Sequence, residues 1–466
     1  MTIDTLSEMI KIKSPVNGEE LGEVPSLSKE QIDALIEKAE TEQKSWAKTP
    51  VNQRADLLYK WADLLLQRKE AIGDIITKEV GKPYKASVTE VERTVDFIRY
   101  TAEDGLRMDG QLTRSNQFPS DNGSRISMAT RKPVGIVLAI SPFNYPINLA
   151  AAKLAPALVA GNGVVFKPAT QGALTGQAMI EALKDAGLPD GLVAFATGRG
   201  SVIGDHLVQH PAVHMISFTG STAVGNDIAK KTTMKSLSFE LGGKDPAIVL
   251  EDADLDLAAK EIVSGAFSYS GQRCTAIKRV LVLDSVADQL VAKLKERIEG
   301  LSVGSPWDNA DVVPLIDLKS ANFVKELIDD AVAKNAKTVL GGMQIENLIH
   351  PTLLDDVTED MRVAWEEPFG PVLPVIRVSS KEEAIRIANK SEYGLQASLF
   401  TENINDAFVV ADEIEAGTVQ LNGKTQRGPD HFPFLGTKGS GIGEQGIRKS
   451  IESMTVTKSV VLNLHE

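Results

Sequence analysis

With only one cysteine, Cys274, the 466-residue chain cannot close an internal disulfide, so its fold must rest on packing in a reducing compartment, expected to be the cytoplasm. Histidine is scarce too, six in all. The one regular run, His206, His210 and His214, is interrupted by Pro211 and lacks the acidic partner of an HExxH motif, so no metal is expected. Apolar stretches such as Val134 to Ile140 fall far short of the roughly 20 residues that span a bilayer. Residues 1–15, MTIDTLSEMIKIKSP, lack the apolar core and cleavage site of a secretory signal. Nor is there a basic excess: the net charge is −13, which opposes general attraction to nucleic acid or an anionic membrane. An anionic ligand must therefore be held by a few specific residues.

What is present is an ordinary globular composition, 42% hydrophobic and 24% charged, long enough for two or three domains. Ser28 and Gln31 form a capping-box pair, and Leu35, Ile36, Ala39, Ala55, Leu57, Leu58, Trp61, Leu64 and Leu66 continue an amphipathic pattern, so the first hundred residues read as helical. Asn122-Gly123 signals a tight turn, and Arg125-Ile126-Ser127-Met128 alternates like an exposed strand. From Val134 onward, short apolar strands (Val134 to Ile140, Gly163 to Phe166, Val193 to Ala196, His214 to Phe218) alternate with helix-length segments. A second series follows at Arg279 to Leu283, Val372 to Val378, Ala397 to Phe400 and Thr418 to Leu421, with a helix over Ala287 to Glu299. Two α/β units with parallel sheets are predicted. The β-prone end, Met454 to Leu462, should pair with the Asn122 hairpin or with a neighbouring subunit.

Among glycine motifs, Gly441-Ile-Gly443-Glu-Gln-Gly446 fits GxGxxG but lacks a preceding strand and a following βαβ unit, and reads better as a glycine-rich surface loop. Phe218-Thr219-Gly220-Ser221-Thr222-Ala223-Val224-Gly225 is the stronger signal, because it joins an apolar strand to a helix N-terminus that suits a pyrophosphate. Lys167-Pro168-Ala169-Thr170 ends another strand; the lysine suits a ribose hydroxyl and the neutral Thr170 leaves room for a 2′-phosphate. Cys274 lies in a small polar loop, Gly271-Gln272-Arg273-Cys274-Thr275-Ala276, where the adjacent guanidinium is expected to favour the thiolate. Glu240 closes Leu237-Ser238-Phe239 and suits a general base, against the plainer reading of a solvated charge at a strand end. Asn144, in Pro142-Phe143-Asn144-Tyr145-Pro146, offers an amide to an oxyanion; alone it would be a turn residue.

Together with Glu366-Glu367-Pro368-Phe369-Gly370-Pro371-Val372, these segments stand in the order found in aldehyde dehydrogenases, and across nearly its whole length the chain resembles that superfamily. The resemblance implies an α/β fold: a modified Rossmann cofactor domain (1–113 and 134–242), an α/β catalytic domain (243–440) and a β oligomerisation arm (114–133 and 453–466), in a homotetramer. Within the superfamily the chain looks most like the non-phosphorylating, NADP-dependent glyceraldehyde-3-phosphate dehydrogenases, because Tyr145 follows Asn144, Arg273 precedes Cys274, and the late loop reads Lys424-Thr425-Gln426-Arg427-Gly428.

That resemblance implies irreversible oxidation of the phosphorylated aldehyde through a thioester on Cys274, with Asn144 at the oxyanion and Glu240 activating water. Arg93, Tyr145, Arg273 and Arg427 would serve the substrate, with Asn144, Cys274 and Thr275 beside it. Lys167, Thr170 and Ser221 would hold the adenosine and phosphates of NADP, Glu367 its nicotinamide ribose, and Thr219 and Phe369 its ring, with Gly220 in the phosphate turn. Ser141, Asp205 and Leu241 are weaker expected contacts. Two alternatives stay open: a dehydrogenase of another small anionic aldehyde such as succinic semialdehyde, and a catalytically silent relative.

Overall fold

The computed structural model describes residues 8–121 and 123–464. Asn122, half of the expected tight turn, lies outside them. Helix Lys29–Trp46 begins at the expected capping box: Ser28 Oγ accepts from Gln31 N, and Gln31 Oε1 accepts from Ser28 N. Its buried stripe, Ile32, Ile36 and Ala39, follows the helical period. Helices Val51–Gln67, Lys69–Val80 and Tyr84–Leu106 complete a helical layer. One element ahead of them is not helical. Strands Met9–Lys13 and Glu20–Pro25 form an antiparallel hairpin with Ile10, Ile12 and Val24 inside. The alternation Ile10, Ile12 and the Asn17-Gly18 turn carry that signal in the sequence.

The first sheet has six strands. From Ile136–Ile140 the chain runs outward one way through Gly163–Lys167 to Val193–Phe195, and the other way through Val213–Thr219 to Ser236–Glu240, all parallel. The order therefore reverses between the strands ending at Ile140 and Thr219, where an open α/β sheet leaves a crevice at its carboxyl edge. Helix Asn148–Ala160 is buried at every position, which explains its almost unbroken apolar sequence. The glycine-rich segment is not a plain surface loop. Gly441–Ile442 is a short antiparallel edge strand, with Gly441 opposite Glu240 and Ile442 opposite Phe239. Helix Ile447–Ser453 then packs its Ile447 and Ile451 into the core beneath the first sheet.

A second, seven-stranded sheet has a parallel centre of Val372–Val378, Arg279–Leu283, Pro246–Val249, Gln396–Phe400 and Thr418–Leu421. Helix Asp284–Glu299 covers it through Leu290 and Leu294. The third sheet pairs Thr455–Asn463 with Arg125–Pro133 along its full length, and Gln111–Arg114 adds a third strand. Its Val456, Val460, Val461 and Leu462 stay exposed. Among the described residues no helix is long and apolar enough to cross a membrane, and no group of three metal-ligating side chains occurs. His206 and His210 instead face Asp33, while His214 Nδ1 accepts from Ile136 N.

Candidate active site

Cys274 lies in the turn after helix Leu255–Phe267. Tyr269 and Ser270 carry positive φ, 52° and 54°, a conformation that costs a residue with a side chain about 1–3 kcal/mol. Four bonds hold it: Tyr269 Oη donates to Val80 O (3.0 Å), Ser270 Oγ donates to Val313 O and accepts from Val313 N (2.8 Å each), and Gln272 Oε1 accepts from Ile316 N (3.0 Å). Gly271 comes so close to the neighbouring loop that a Cβ would meet Gly370 O at 2.5 Å. The turn thus presents a partly accessible Cys274 whose Sγ donates to Glu240 Oε1 at 3.0 Å.

Glu240 is only 2% exposed, so it is not a solvated strand-end charge. Its second oxygen faces Arg427 Nη1 (3.0 Å) and Thr219 Oγ1 (3.5 Å). Thr219 Oγ1 in turn accepts from Lys153 Nζ at 2.7 Å. Burial brings the Lys153 ammonium down to about 7, with the Glu240 carboxylate opposing that shift. Lys153 is the polar break in the apolar helix Asn148–Ala160, a signal the sequence reading passed over.

The expectation that Arg273 favours the thiolate is corrected. Its Nη2 donates to Gly265 O at 2.6 Å. Burial, and after it the negative charge and hydrogen bond of Glu240, push the Cys274 thiol well up, with Lys278 opposing. Lys278 was also missed in sequence. Its ammonium bonds to the Cys274 carbonyl and lies 2.9 Å from Glu367, whose Oε1 also accepts from Gly243 N at 3.3 Å.

Asn144, buried at 3%, follows the strand Ile136–Ile140. One N–H of Nδ2 goes to Gln272 O at 2.9 Å, which fixes the amide beside the cysteine turn and leaves the second N–H to offer. Arg93 binds Asp430 through two bonds of 2.7 Å and donates to Arg427 O at 2.8 Å. Arg427 Nη2 bonds Gln445 Oε1 at 3.0 Å. Tyr145 meets the Tyr269 ring edge to face, centroids 6.3 Å apart. The structure therefore joins Arg93 and Arg427, whereas Arg273 is bound to the Gly265 carbonyl and has no partner on its buried Nε. Thr275 is buried and its carbonyl accepts from Thr425 Oγ1 (2.8 Å), which anchors the late loop.

Of the residues expected to hold a dinucleotide, Ser141, Lys167, Thr170, Thr219, Gly220, Ser221 and Leu241 end or follow strands of the first sheet at its carboxyl edge, whereas Asp205 lies within helix Gly200–Gln209 and Glu367 and Phe369 precede a strand of the second sheet. Lys167 ends its strand, bonded only weakly to Pro168 O (3.2 Å), and burial lowers it to about 8. Thr170 follows in the same turn, half-buried. Ser141 leaves the adjacent strand, its N–H on Lys167 O. Ser221 caps helix Thr222–Lys231 through Val224 N, and Gly220 N bonds Glu240 O, so part of that turn's amides is already engaged. Leu241 is buried, with its N–H on Ser440 O. Phe369 packs edge-on to Phe143, ring centroids 6.0 Å apart. Asp205 is exposed and ion-paired with Lys231 at 2.8 Å. The donor set fits a phosphorylated dinucleotide: an under-bonded lysine, a neutral threonine and a helix N-terminus. Close packing requires glycine at two positions beside them, since a Cβ on Gly242 would meet Glu367 Oε2 at 2.4 Å and one on Gly220 would meet the Phe218 ring at 2.4 Å.

The sequence model of the aldehyde dehydrogenase family matches residues 3–460. The chain is 55% identical to the NADP-dependent glyceraldehyde-3-phosphate dehydrogenase of Streptococcus equinus, over 98% of this chain and 96% of that protein. It is 50% identical to the protein of the same name from Pisum sativum, over 99% and 93%. Among solved structures, the NADP-dependent glyceraldehyde-3-phosphate dehydrogenase from Bacillus halodurans C-125 complexed with NADP superposes with a TM-score of 0.97 at 58% identity, covering 98% of this chain and 96% of that one.

Proposed function

Because the chain belongs to the aldehyde dehydrogenase family, we propose that it catalyses the irreversible, NADP-dependent oxidation of D-glyceraldehyde 3-phosphate to 3-phosphoglycerate without consuming phosphate. The observation that carries the chemistry is the Cys274 thiol bonded at 3.0 Å to Glu240, with the Asn144 amide fixed beside the same turn. The Cys274 thiol gives up its proton to solvent and the thiolate attacks the aldehyde carbon, while the free N–H of Asn144 and the Cys274 backbone N–H stabilise the oxyanion; departure of hydride from that carbon leaves a thioester. NADP, when bound by Lys167, Thr170, Ser221 and Glu367, supplies the hydride acceptor. Glu240 then takes a proton from water, and that water releases the acid from sulfur. Arg427 beside Glu240 keeps a counter-charge in place throughout.

The substrate reading rests on names carried by relatives at 50–55% identity and on the Arg93–Arg427 pair. Guanidinium forks suit a phosphate dianion, and an acidic protein needs such local compensation. The test is steady-state oxidation of glyceraldehyde 3-phosphate with NADP and with NAD, no inorganic phosphate added. Faster turnover of succinic semialdehyde than of the phosphorylated aldehyde overturns the substrate assignment. We assign residues 1–113 with 134–242 to cofactor binding, 243–440 to catalysis, and 114–133 with 453–466 to assembly of a cytoplasmic homotetramer. The exposed apolar face of the third sheet supports that last assignment.

Arg427→Ala is expected to lower kcat/KM for glyceraldehyde 3-phosphate about ten- to hundredfold, the equivalent of a charge-assisted hydrogen bond of about 1.5–3 kcal/mol. Arg427 also holds Glu240, so unphosphorylated glyceraldehyde will lose rate as well. The phosphate contribution is therefore read from the ratio of the two losses. A ratio of one confines Arg427 to its role at Glu240.

Thr170→Glu should shift the NADP-to-NAD ratio of kcat/KM toward NAD by at least about tenfold, because a carboxylate repels the 2′-phosphate and accepts from a free ribose hydroxyl. An unchanged ratio removes Thr170 from the ribose site.

A further inference from the structure

Lys82 has no part in the chemistry above, yet it is buried at 1% exposure between the two loops that carry that chemistry. It follows Gly81, whose φ of +70° ends helix Lys69–Val80. Its ammonium pairs with buried Glu90 and lies 3.6 Å from the ring centroid of Tyr145 and 4.8 Å from that of Tyr269. The two rings meet edge to face, centroids 6.3 Å apart at 82°. Tyr145 adjoins Asn144; Tyr269 opens the turn that ends at Cys274. The other Glu90 oxygen accepts from Ile147 N and Asn148 N, 3.1 Å each, where the Asn144 loop becomes a helix. An apolar pair of similar volume would serve stability about as well as this buried ion pair. What such a pair would lose is the attraction of a desolvated cation for two ring faces, a directional contact.

We propose that Lys82 is a positioning residue of the active site: its ammonium, fixed by Glu90, clamps the Tyr145 ring toward Tyr269 and so sets the Asn144 amide in register with Cys274. The proposal rests on the acylation chemistry assigned above. The readout is the rate of the first NADPH burst at saturating glyceraldehyde 3-phosphate. Lys82→Met/Glu90→Gln removes both charges, keeps the side-chain volumes and leaves the glutamine carbonyl to accept from Ile147 and Asn148. It should slow the burst about tenfold. Lys82→Arg should restore most of the rate. In a Tyr145→Leu background, with no ring to clamp, the same pair of changes should slow it less than about twofold.

Equal slowing in both backgrounds, or none in the native one, overturns the proposal. Lys82→Gln alone, which removes the cation and can still donate to Glu90, carries the same comparison where the double variant does not fold. If the native enzyme gives its burst only with another aldehyde, the substrate reading fails, and the coupling measured on that aldehyde decides the role of Lys82 separately.

Discussion

Cys274→Ser is expected to lower turnover of glyceraldehyde 3-phosphate by at least about 10⁴-fold while leaving NADP binding intact, because the chemistry has no second nucleophile to fall back on. Cys274 is the only cysteine. A serine hydroxyl at this position would still reach Glu240, but at neutral pH it is a far weaker nucleophile than sulfur. The loss should appear in kcat, since the substituted atom acts in bond formation and contributes little to binding. NADP titration by fluorescence, together with the missing burst, separates this outcome from misfolding. Residual turnover within a hundredfold of the native enzyme would mean that no thioester lies on the path.

Glu240→Ala should release NADPH stoichiometric with active sites in a first burst and then stall, with steady turnover down about 10²- to 10⁴-fold, the usual contribution of a positioned general base. Acylation precedes the step that needs activated water, so the burst survives. The alanine leaves Arg427 without its partner, and Glu240→Gln, which keeps an acceptor for that guanidinium, is the cleaner companion. Both changes also remove the negative charge that, after burial, pushes the Cys274 thiol up. The sign follows: taking the carboxylate away lowers the pH at which the thiolate forms. In Glu240→Gln the pH profile of thiol alkylation should therefore move to lower pH. A variant that has lost the burst as well would place Glu240 in the deprotonation of sulfur.

Much of this was legible in the sequence because βα alternation and short motifs are local. The strand ends that carry Thr219, Glu240 and Asn144 could be read from apolar runs bounded by glycine and proline. Two things were not local. Arg273 precedes Cys274 in the chain, yet neighbouring side chains point different ways, and this one reaches Gly265, so burial and Glu240 rather than the adjacent guanidinium govern the sulfur. Arg427 meets Glu240 across 187 residues and Arg93 meets Asp430 across 337, pairings that no periodicity encodes. Lys153 was hidden for the opposite reason. A lysine in an apolar helix is ordinarily taken as a side chain that reaches water, and only the sheet and helices packed around it show that this one does not.

The edge strand Gly441–Ile442 has a bearing on biosynthesis. It pairs with Glu240 and Phe239, and Arg427 and Gln445 reach the same neighbourhood from nearby in the chain. During translation the five parallel strands of the first sheet leave the ribosome roughly two hundred residues ahead of the edge that closes on them, and domains tend to fold as they emerge. A nascent chain of 400 residues would hold Cys274 and Glu240 but neither Arg427 nor Gly441. Until that late segment arrives, Glu240 lacks its counter-ion and its strand lacks an outer partner. Unfinished chains would thus lack what Arg427 contributes to turnover, and the exposed strand edge makes them candidates for chaperone retention.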